Sequence, residues 1–169
     1  MELTFITAFE VSPSRDEAFL ASLATSGTMH RALRDDVEFR FVDVARAGAP
    51  EIPDGSSGFP SHPGTYEQIR FHGRPDVAGG VLRIELLEVP DTGERLLEGW
   101  ERARDVVAGQ QGWIGRTLYR AVAPAEFAFV EIAQWSSPLM LARASARPEF
   151  VDATTTRFRS HAALYTVVG

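Results

Sequence analysis

A carboxylate set within an aromatic stripe is the strongest chemical signal in this sequence. Residues 126–135 read EFAFVEIAQW, and alternation along a strand would put Phe127, Phe129, Glu131 and Trp135 on one face. If that face lines an apolar cavity, burial raises the pKa of Glu131 from about 4.3 towards roughly 6–7, a range that suits a general base. The alternative is that Glu131 pairs with an arginine or reaches solvent at a rim. Trp135 is correspondingly either a stacking platform for a flat ligand or a core residue.

The stripe belongs to a motif that occurs twice. Residues 38–45 read EFRFVDVA and residues 126–133 read EFAFVEIA. Each is followed by a Ser-His pair and then a tyrosine: Ser61, His62 and Tyr66 in the first copy, and Ser160, His161 and Tyr165 in the second. Self-similarity on this scale predicts a duplicated supersecondary unit.

The two copies differ where the chemistry should lie. In the first copy the corresponding stripe contains Asp43 at the place of Glu131 and Ala47 at the place of Trp135. The first copy therefore lacks the aromatic platform. We expect one working cavity, centred on the second copy, with Asp43 as an additional contact to the substrate.

The elements that must position these residues are clearest in the second copy. Its pattern predicts a strand, a helix, two strands, a helix and a final strand, which is the ferredoxin-like order. The first copy is a degenerate version that lacks the second helix, and a Gly-, Pro- and Ser-rich loop over residues 46–64 replaces it. Long loops without secondary structure are often lids, so we expect this loop over the cavity mouth.

The fold class that follows is α+β, with tandem ferredoxin-like repeats (β-α-β-β-α-β) forming a dimeric α+β barrel within one chain. We divide the sequence into a degenerate repeat (residues 1–73), a linker (74–80) and a complete repeat (81–169). One such unit leaves one face of its sheet bare, and two units can cover each other. We expect the aromatic stripes to turn inward, between the sheets. Because the barrel needs no second chain, a monomer or a weak homodimer is expected.

Composition excludes several classes of partner. The net charge of −6 argues against nucleic acid and anionic membranes, and no apolar run approaches the ~20 residues of a membrane span. There is no cysteine, no dinucleotide or P-loop signature, and no metal-ligand spacing around His62 or His72, so no metal site is expected. The amino terminus lacks a signal segment, which indicates a cytoplasmic protein.

Three short pieces carry a resemblance to a known family. They are FVEIAQWSSP (residues 129–138), ARPEF (146–150) and HAALY (161–165). Together they resemble the antibiotic biosynthesis monooxygenase family, dimeric α+β barrel proteins common in aromatic polyketide pathways. The resemblance covers residues 81–168 well and 3–71 weakly.

The resemblance also implies roles for single residues. In the family, an Asn and a Trp four residues later bind the phenolic substrate; Trp135 matches the Trp, whereas Glu131 stands at the Asn position. Trp113 matches an aromatic residue that begins the second strand and is either a substrate contact or structural. His161 begins the last strand, where it either protonates a substrate oxygen or is a satisfied edge histidine. We assign catalysis to Glu131 and His161, and substrate contacts to Trp135, Phe129, Phe127, Asp43, Trp113 and Tyr165.

The function that the resemblance implies is oxidation of a fused aromatic polyketide, anthrone-like or naphthol-like, by molecular oxygen. No metal or flavin is required for that reaction, although some relatives use reduced flavin. Related barrels bind haem through a histidine, but the helix predicted over residues 137–146 contains none, so no haem is expected. The alternatives are a non-oxidative cyclase or isomerase, a flavin-assisted ring-cleaving oxygenase, and a non-catalytic polyketide-binding accessory protein.

Overall fold

The computed structural model describes residues 2–23, 27–46, 58–74 and 78–168. These residues form eight strands, five α-helices and one turn of 3-10 helix at Pro13–Arg15. The strands are β1 (Leu3–Phe9), β2 (Thr28–Ala32), β3 (Phe41–Arg46), β4 (Ser61–Gly73), β5 (Val81–Glu88), β6 (Trp113–Ala121), β7 (Phe129–Trp135) and β8 (Arg159–Val167). The helices are α1 (Asp16–Ser22), α2 (Glu94–Arg102), α3 (Arg104–Ala108), α4 (Pro138–Ser145) and α5 (Pro148–Thr154).

The eight strands close into an antiparallel barrel in the order β1-β3-β2-β8-β5-β7-β6-β4. The predicted α+β barrel is therefore confirmed, and it closes within one chain. The strands of the first half (residues 1–73) are neighbours in the order β4-β1-β3-β2, and those of the second half (81–169) follow the same pattern as β8-β5-β7-β6. The halves join at two seams, β2 with β8 and β4 with β6.

The structure contains one strand that the sequence patterns did not predict and another that is longer than predicted. β2 was not predicted, because five residues that include His30 and Arg31 carry no clear apolar alternation. β4 runs over 13 residues, although Pro63 and Gly64 favour a loop. Gly64 is required there, since a Cβ at this position would lie 2.5 Å from the ring of Tyr66. No helix within the described ranges is long and apolar enough to cross a membrane.

Along β3 and β7 the aromatic stripes face outward, so the predicted inward orientation is wrong for Phe41, Phe129 and Trp135. Phe39 and Phe127, which precede these strands, lie in the barrel core. On β7, Val130 and Ile132 point into the barrel and pack with residues of both halves. Phe129 and Trp135 lie on the opposite face, with residues of α2 to α5. The physical reason is that an eight-stranded barrel has room only for its own inward side chains. Phe129 and Trp135 are instead buried between the barrel and the helices.

Residues from matching places in the two sequence motifs meet at one end of the barrel. The rings of Phe39 and Phe127 lie edge to face with their centroids 5.3 Å apart. The Tyr66 hydroxyl donates to the carbonyl of Phe127 at 3.0 Å, and the Tyr165 hydroxyl donates to the carbonyl of Phe39 at 2.7 Å. Each half therefore donates a tyrosine hydrogen bond to the residue just before a strand of the other half, Phe127 before β7 and Phe39 before β3.

Two histidines beside these rings form what we name the histidine clamps. His62 contacts Glu10 of its own half at 2.7 Å and Glu126 of the other half. His161 contacts Glu88 of its own half at 3.1 Å and Glu38 of the other half at 2.7 Å. His62 hydrogen-bonds a carboxylate through each ring nitrogen. Because a carboxylate only accepts hydrogen bonds, His62 carries both protons in this arrangement.

The first clamp makes stability depend on pH. Burial lowers the pKa of His62, but its bonds and charge attraction to Glu10 and Glu126 outweigh burial, and the net pKa is raised. A raised histidine pKa contributes stability that is complete below the unfolded value of about 6.5. That stability is lost as the pH rises through the higher folded value.

We therefore expect His62→Gln to lower the free energy of unfolding by roughly 1 kcal/mol at pH 5.5, a typical worth of partly exposed ion pairs. The difference from the unsubstituted protein should shrink by pH 8.5. Urea unfolding at the two pH values measures it. Arg34→Gln is the control, because the exposed Arg34–Asp36 pair does not titrate in this range. An equal loss at both pH values would contradict the protonated clamp.

Candidate functional site

A cavity of about 1080 Å³ lies between the outer face of the second half of the barrel and the helices that cover it. This volume is at the upper end of the range for small-molecule sites, which is roughly 300–1,000 Å³. Strands β5, β6 and β7 supply its floor. Helices α2 to α5 and the segment from Thr154 to Phe158 supply its roof, with apolar walls that include Leu87, Leu118, Leu141 and Phe150.

Four charged side chains stand together on the floor. Glu131 of β7 pairs in register with Glu85 of β5. Arg83 of β5 and Arg116 of β6 both pair with Ala133, one from each side. The small side chain of Ala133 leaves room for both guanidinium groups to approach the carboxylates.

Glu131 is the centre of this group. Its side chain is 13% exposed, and each of its oxygens lies 3.7 Å from an arginine nitrogen, Oε1 from Arg83 and Oε2 from Arg116. Its Oε2 also accepts a hydrogen bond from the indole N–H of Trp100. Burial raises the pKa of Glu131 against the opposing effect of the two arginines, and Glu85 raises it further. The sequence analysis treated burial of Glu131 and its pairing with an arginine as alternatives. In the structure Glu131 is both buried and paired with arginines.

Trp100 and Arg116 are site residues that the sequence analysis did not identify. The Arg116 guanidinium lies 4.0 Å above the Trp100 ring, and its Nη2 donates to the Trp100 carbonyl at 2.5 Å. His72, which pairs with Arg116 across β4 and β6, stacks on the same indole with ring centroids 4.2 Å apart. The sequence did contain a pattern that could have identified Trp100. It lies on the apolar stripe of its helix, and such a stripe faces the sheet.

A second polar group borders the carboxylate. Arg83 Nη1 donates to Glu85 at 2.8 Å, and the Ser160 hydroxyl donates to the other oxygen of Glu85 at 2.7 Å. Glu85 thus has two hydrogen-bond donors of its own. Glu131 relies on Trp100 and on more distant arginines.

The aromatic residues of the stripe differ in position. Trp135 lines the cavity, although it is only 1% exposed, and it packs edge to face with Phe150 at 5.9 Å. Phe129 is buried beside Trp100 and Leu118, and Trp113 packs against the cluster around Trp135. Neither of these two contributes to the cavity lining.

His161, Tyr165 and Phe127 lie away from Glu131, contrary to the predicted common site. On β8, His161 and Tyr165 pair with Leu86 and Leu82 and share the inward face of the barrel. Tyr165 and Phe127 belong to the barrel core, and His161 is held in its clamp. Alternation explains the separation, because Ser160 is the β8 residue that faces the cavity side.

Asp43 occupies the equivalent place in the first half and does not line the cavity. It pairs with Thr7 and Met29, as Glu131 pairs with Glu85 and Leu118. Its Oδ1 is buried without a hydrogen-bond partner among the described residues, and burial raises its pKa. Its pairing partner Met29 belongs to an apolar cluster that includes Phe19, Phe41 and Phe59.

Two further expectations lie wholly or partly outside the described residues. Ala47 and most of the predicted lid, residues 47–57, are not described. At the described end of that segment, Phe59 packs on Phe19 rather than over the cavity, and residues from Ser61 onward belong to β4. Within the described ranges, no group of three or more histidine or acidic side chains is arranged to hold a metal ion.

Comparison with known proteins establishes the fold. No protein-family model matches the chain, and no curated protein matches it by sequence. Solved structures do match. One is an anthrone oxidase-like protein with a TM-score of 0.70 and 14% identity over 99% of this chain and 92% of that one. Another is an uncharacterised ferredoxin-fold protein from Listeria monocytogenes 4b F2365, related to antibiotic biosynthesis monooxygenases, with a TM-score of 0.57 and 16% identity over 100% and 95% of the two chains.

A third similar structure is LmHde, a haem-degrading enzyme from Listeria monocytogenes, with a TM-score of 0.53 and 13% identity over 98% of each chain. The resemblance to antibiotic biosynthesis monooxygenases is therefore confirmed at the level of the fold. One fold supports different reactions, so the reaction depends on the side chains that line the cavity.

Proposed function

We propose that this protein is a cofactor-independent monooxygenase that oxidises a fused aromatic polyketide intermediate with molecular oxygen. The observation that carries the proposal is Glu131: a buried carboxyl group with a raised pKa on the floor of a large cavity. The fold likeness to an anthrone oxidase-like protein supports the same reaction class. So does the resemblance to antibiotic biosynthesis monooxygenases.

Glu131 acts as the base. It takes a proton from the acidic C–H of an anthrone-like ring, and the electron pair of that bond delocalises onto the ring oxygen. The carbanion transfers one electron to oxygen, and recombination of the two radicals forms a peroxide. Loss of water from the peroxide gives the quinone, so one oxygen atom enters the product and the other leaves as water.

The cavity supplies a slot for a flat substrate. Its apolar walls include Leu118 and Phe150, which exclude water from the ring system and strengthen charge interactions at Glu131. Trp135 provides an aromatic surface at one end. We also infer that the chain is a fused pair of ferredoxin-like repeats in which only the second retains a substrate cavity. The matching strand orders of the halves and the phenylalanine-rich cluster next to Asp43 support this.

Replacing the base tests the proposal directly. Glu131→Gln keeps the shape of the side chain and removes the proton acceptor, so oxygen consumption with an anthrone substrate should fall by about 10²–10⁴-fold while the substrate still binds. An oxygen electrode measures turnover, and fluorescence quenching measures binding. Glu67→Gln is the matched control, since Glu67 pairs with Arg120 outside the cavity. Normal oxygen consumption by the Glu131→Gln protein would remove Glu131 as the base.

Trp135 requires a different substitution because it is also a core residue. Trp135→Ala should lower the free energy of unfolding by about 3–5 kcal/mol, as expected for emptying a buried aromatic site, which would confound any binding measurement. Trp135→Phe retains an aromatic ring and most of the packing. We expect it to fold and to raise the dissociation constant of a tricyclic phenol. Unchanged affinity in this variant would assign Trp135 to the core alone.

A non-oxidative cyclase is the second candidate, and the Ser160–Glu85 pair favours it. Glu85 lies on the neighbouring strand in register with Glu131 and accepts a hydrogen bond from Ser160 of β8. Glu131 can therefore take a proton from a carbon and return the same proton to a substrate oxygen, while Glu85 remains hydrogen-bonded. Ring closure or isomerisation needs both steps and no oxygen. Product formation under strict anaerobiosis would support the cyclase, and product formation only with oxygen would support the oxidase.

A further inference from the structure

Arg116 is a buried charge whose hydrogen bonds are incomplete. It is 4% exposed, and among the described residues its Nε has no hydrogen-bond partner. Its Nη1 lies 3.7 Å from Glu131, which is an ion pair too long for a hydrogen bond. A buried donor without a partner is costly, so its presence on a cavity wall indicates a ligand that completes it.

The guanidinium is also fixed in orientation. Its Cζ lies 4.0 Å from the centre of the Trp100 ring, and its Nη2 donates a hydrogen bond to the Trp100 carbonyl. The contact with the ring and the hydrogen bond together hold the Arg116 guanidinium in one position. Arg83 differs, since its side chain is 28% exposed and it already donates a hydrogen bond to Glu85.

The net charge of the four charged side chains on the cavity floor changes when Glu131 acts as a base. Before the reaction, two arginines face two carboxylates. After Glu131 has taken the proton, Glu85 remains bonded to Arg83 and Ser160. The carboxyl group with which Arg116 forms an ion pair among the described residues is then neutral. At the same moment the substrate has gained a negative charge on its ring oxygen.

We propose that Arg116 binds this oxyanion, an enolate or phenolate oxygen of the aromatic substrate, as the ion-pair partner that replaces Glu131. The proposal rests on the proposed function, in which Glu131 is the base. The C–H bond of the substrate breaks, its proton goes to a Glu131 oxygen, and its electron pair becomes the oxygen charge that Arg116 holds. No electron leaves the substrate in this step.

The geometry thereby selects a substrate class. The ligand must carry a carbonyl or phenol oxygen in the plane of its rings, because the edge of the guanidinium donates in its own plane. Its acidic position must reach Glu131 while that oxygen reaches Arg116. Anthrones and hydroxylated naphthalenes meet this requirement, whereas unsubstituted aromatic rings do not.

A dye that changes colour on ionisation tests the proposal without turnover. The probe is 2-hydroxyanthraquinone, and the measurement is the pKa of the bound dye, read by absorbance titration. The test uses Glu131→Gln as the parent, because its neutral side chain mimics protonated Glu131. In this protein the dye should ionise about 1–3 pH units below its value in water, as expected for an anion beside a buried cation.

Adding Arg116→Gln to that parent should abolish the lowering. This double variant removes both members of the buried pair, which disturbs the fold less than leaving one charge unpaired. A Glu131→Gln, Arg116→Lys protein serves if the first does not fold, and it should show a smaller lowering because a lysine lacks the planar fork. Arg120→Gln is the control, since it removes a positive charge from the same strand at an exposed pair and should leave the dye unaffected.

The outcomes separate this proposal from the proposed function. Equal dye pKa values with and without Arg116, or a dye that does not bind, would overturn the oxyanion site. If the unsubstituted protein then still consumes oxygen with an anthrone, the monooxygenase assignment stands without Arg116. A lowered dye pKa that depends on Arg116, together with no oxygen consumption, would retain the oxyanion site and overturn the oxidase.

Discussion

Closure of the barrel is the constraint on which the rest of the structure depends. Eight strands with no free edge enclose a narrow interior that their own inward side chains fill, among them Val42, Val130 and Tyr165. The charged side chains around Glu131 and the aromatic side chains beside them, Phe129 and Trp135, lie on the outer face. The helices cover that face, and the cavity that contains Glu131 lies between the two layers. The position of the cavity is therefore a consequence of how the sheet closes.

One end of the repeated motif has the same structural role in both halves, whereas the other end differs between them. At the barrel end, both copies keep a glutamate-phenylalanine pair, a histidine and a tyrosine, and all of them contact the opposite half. A barrel that closes through two seams needs both sets of cross-links, which gives a physical reason for retaining both. Beneath the helices the halves share no such requirement. There one half has charged residues around a cavity, and the other has phenylalanines around Asp43.

The charged group on the cavity floor is poorly explained as a stabilising feature. Moving charges from water into a protein interior costs several kcal/mol per ion, and neither arginine contact of Glu131 is shorter than 3.7 Å. At the equivalent place the first half has a single carboxyl group, Asp43, between Thr7 and Met29, so the strand pairing does not itself require four charged side chains. A group that is expensive to bury, incompletely bonded and adjacent to a cavity is what a proton-transfer site requires, since its charge must change during the reaction.

The sequence by itself determined the repeated motif, the α+β class, the strand that carries Glu131 and the fact that Glu131 and Trp135 share one face. These follow from local alternation and from the spacing of short motifs, which need no knowledge of distant contacts. The tertiary structure alone decided which way that face points, because closure of the sheet assigns the inside to Val130 and Ile132. It also decided that His161 and Tyr165 lie on the inward face of the barrel, and that Arg116 and Trp100 contact Glu131. Those contacts join strands and a helix that are separated along the chain, and their register is set by pairing across the whole barrel.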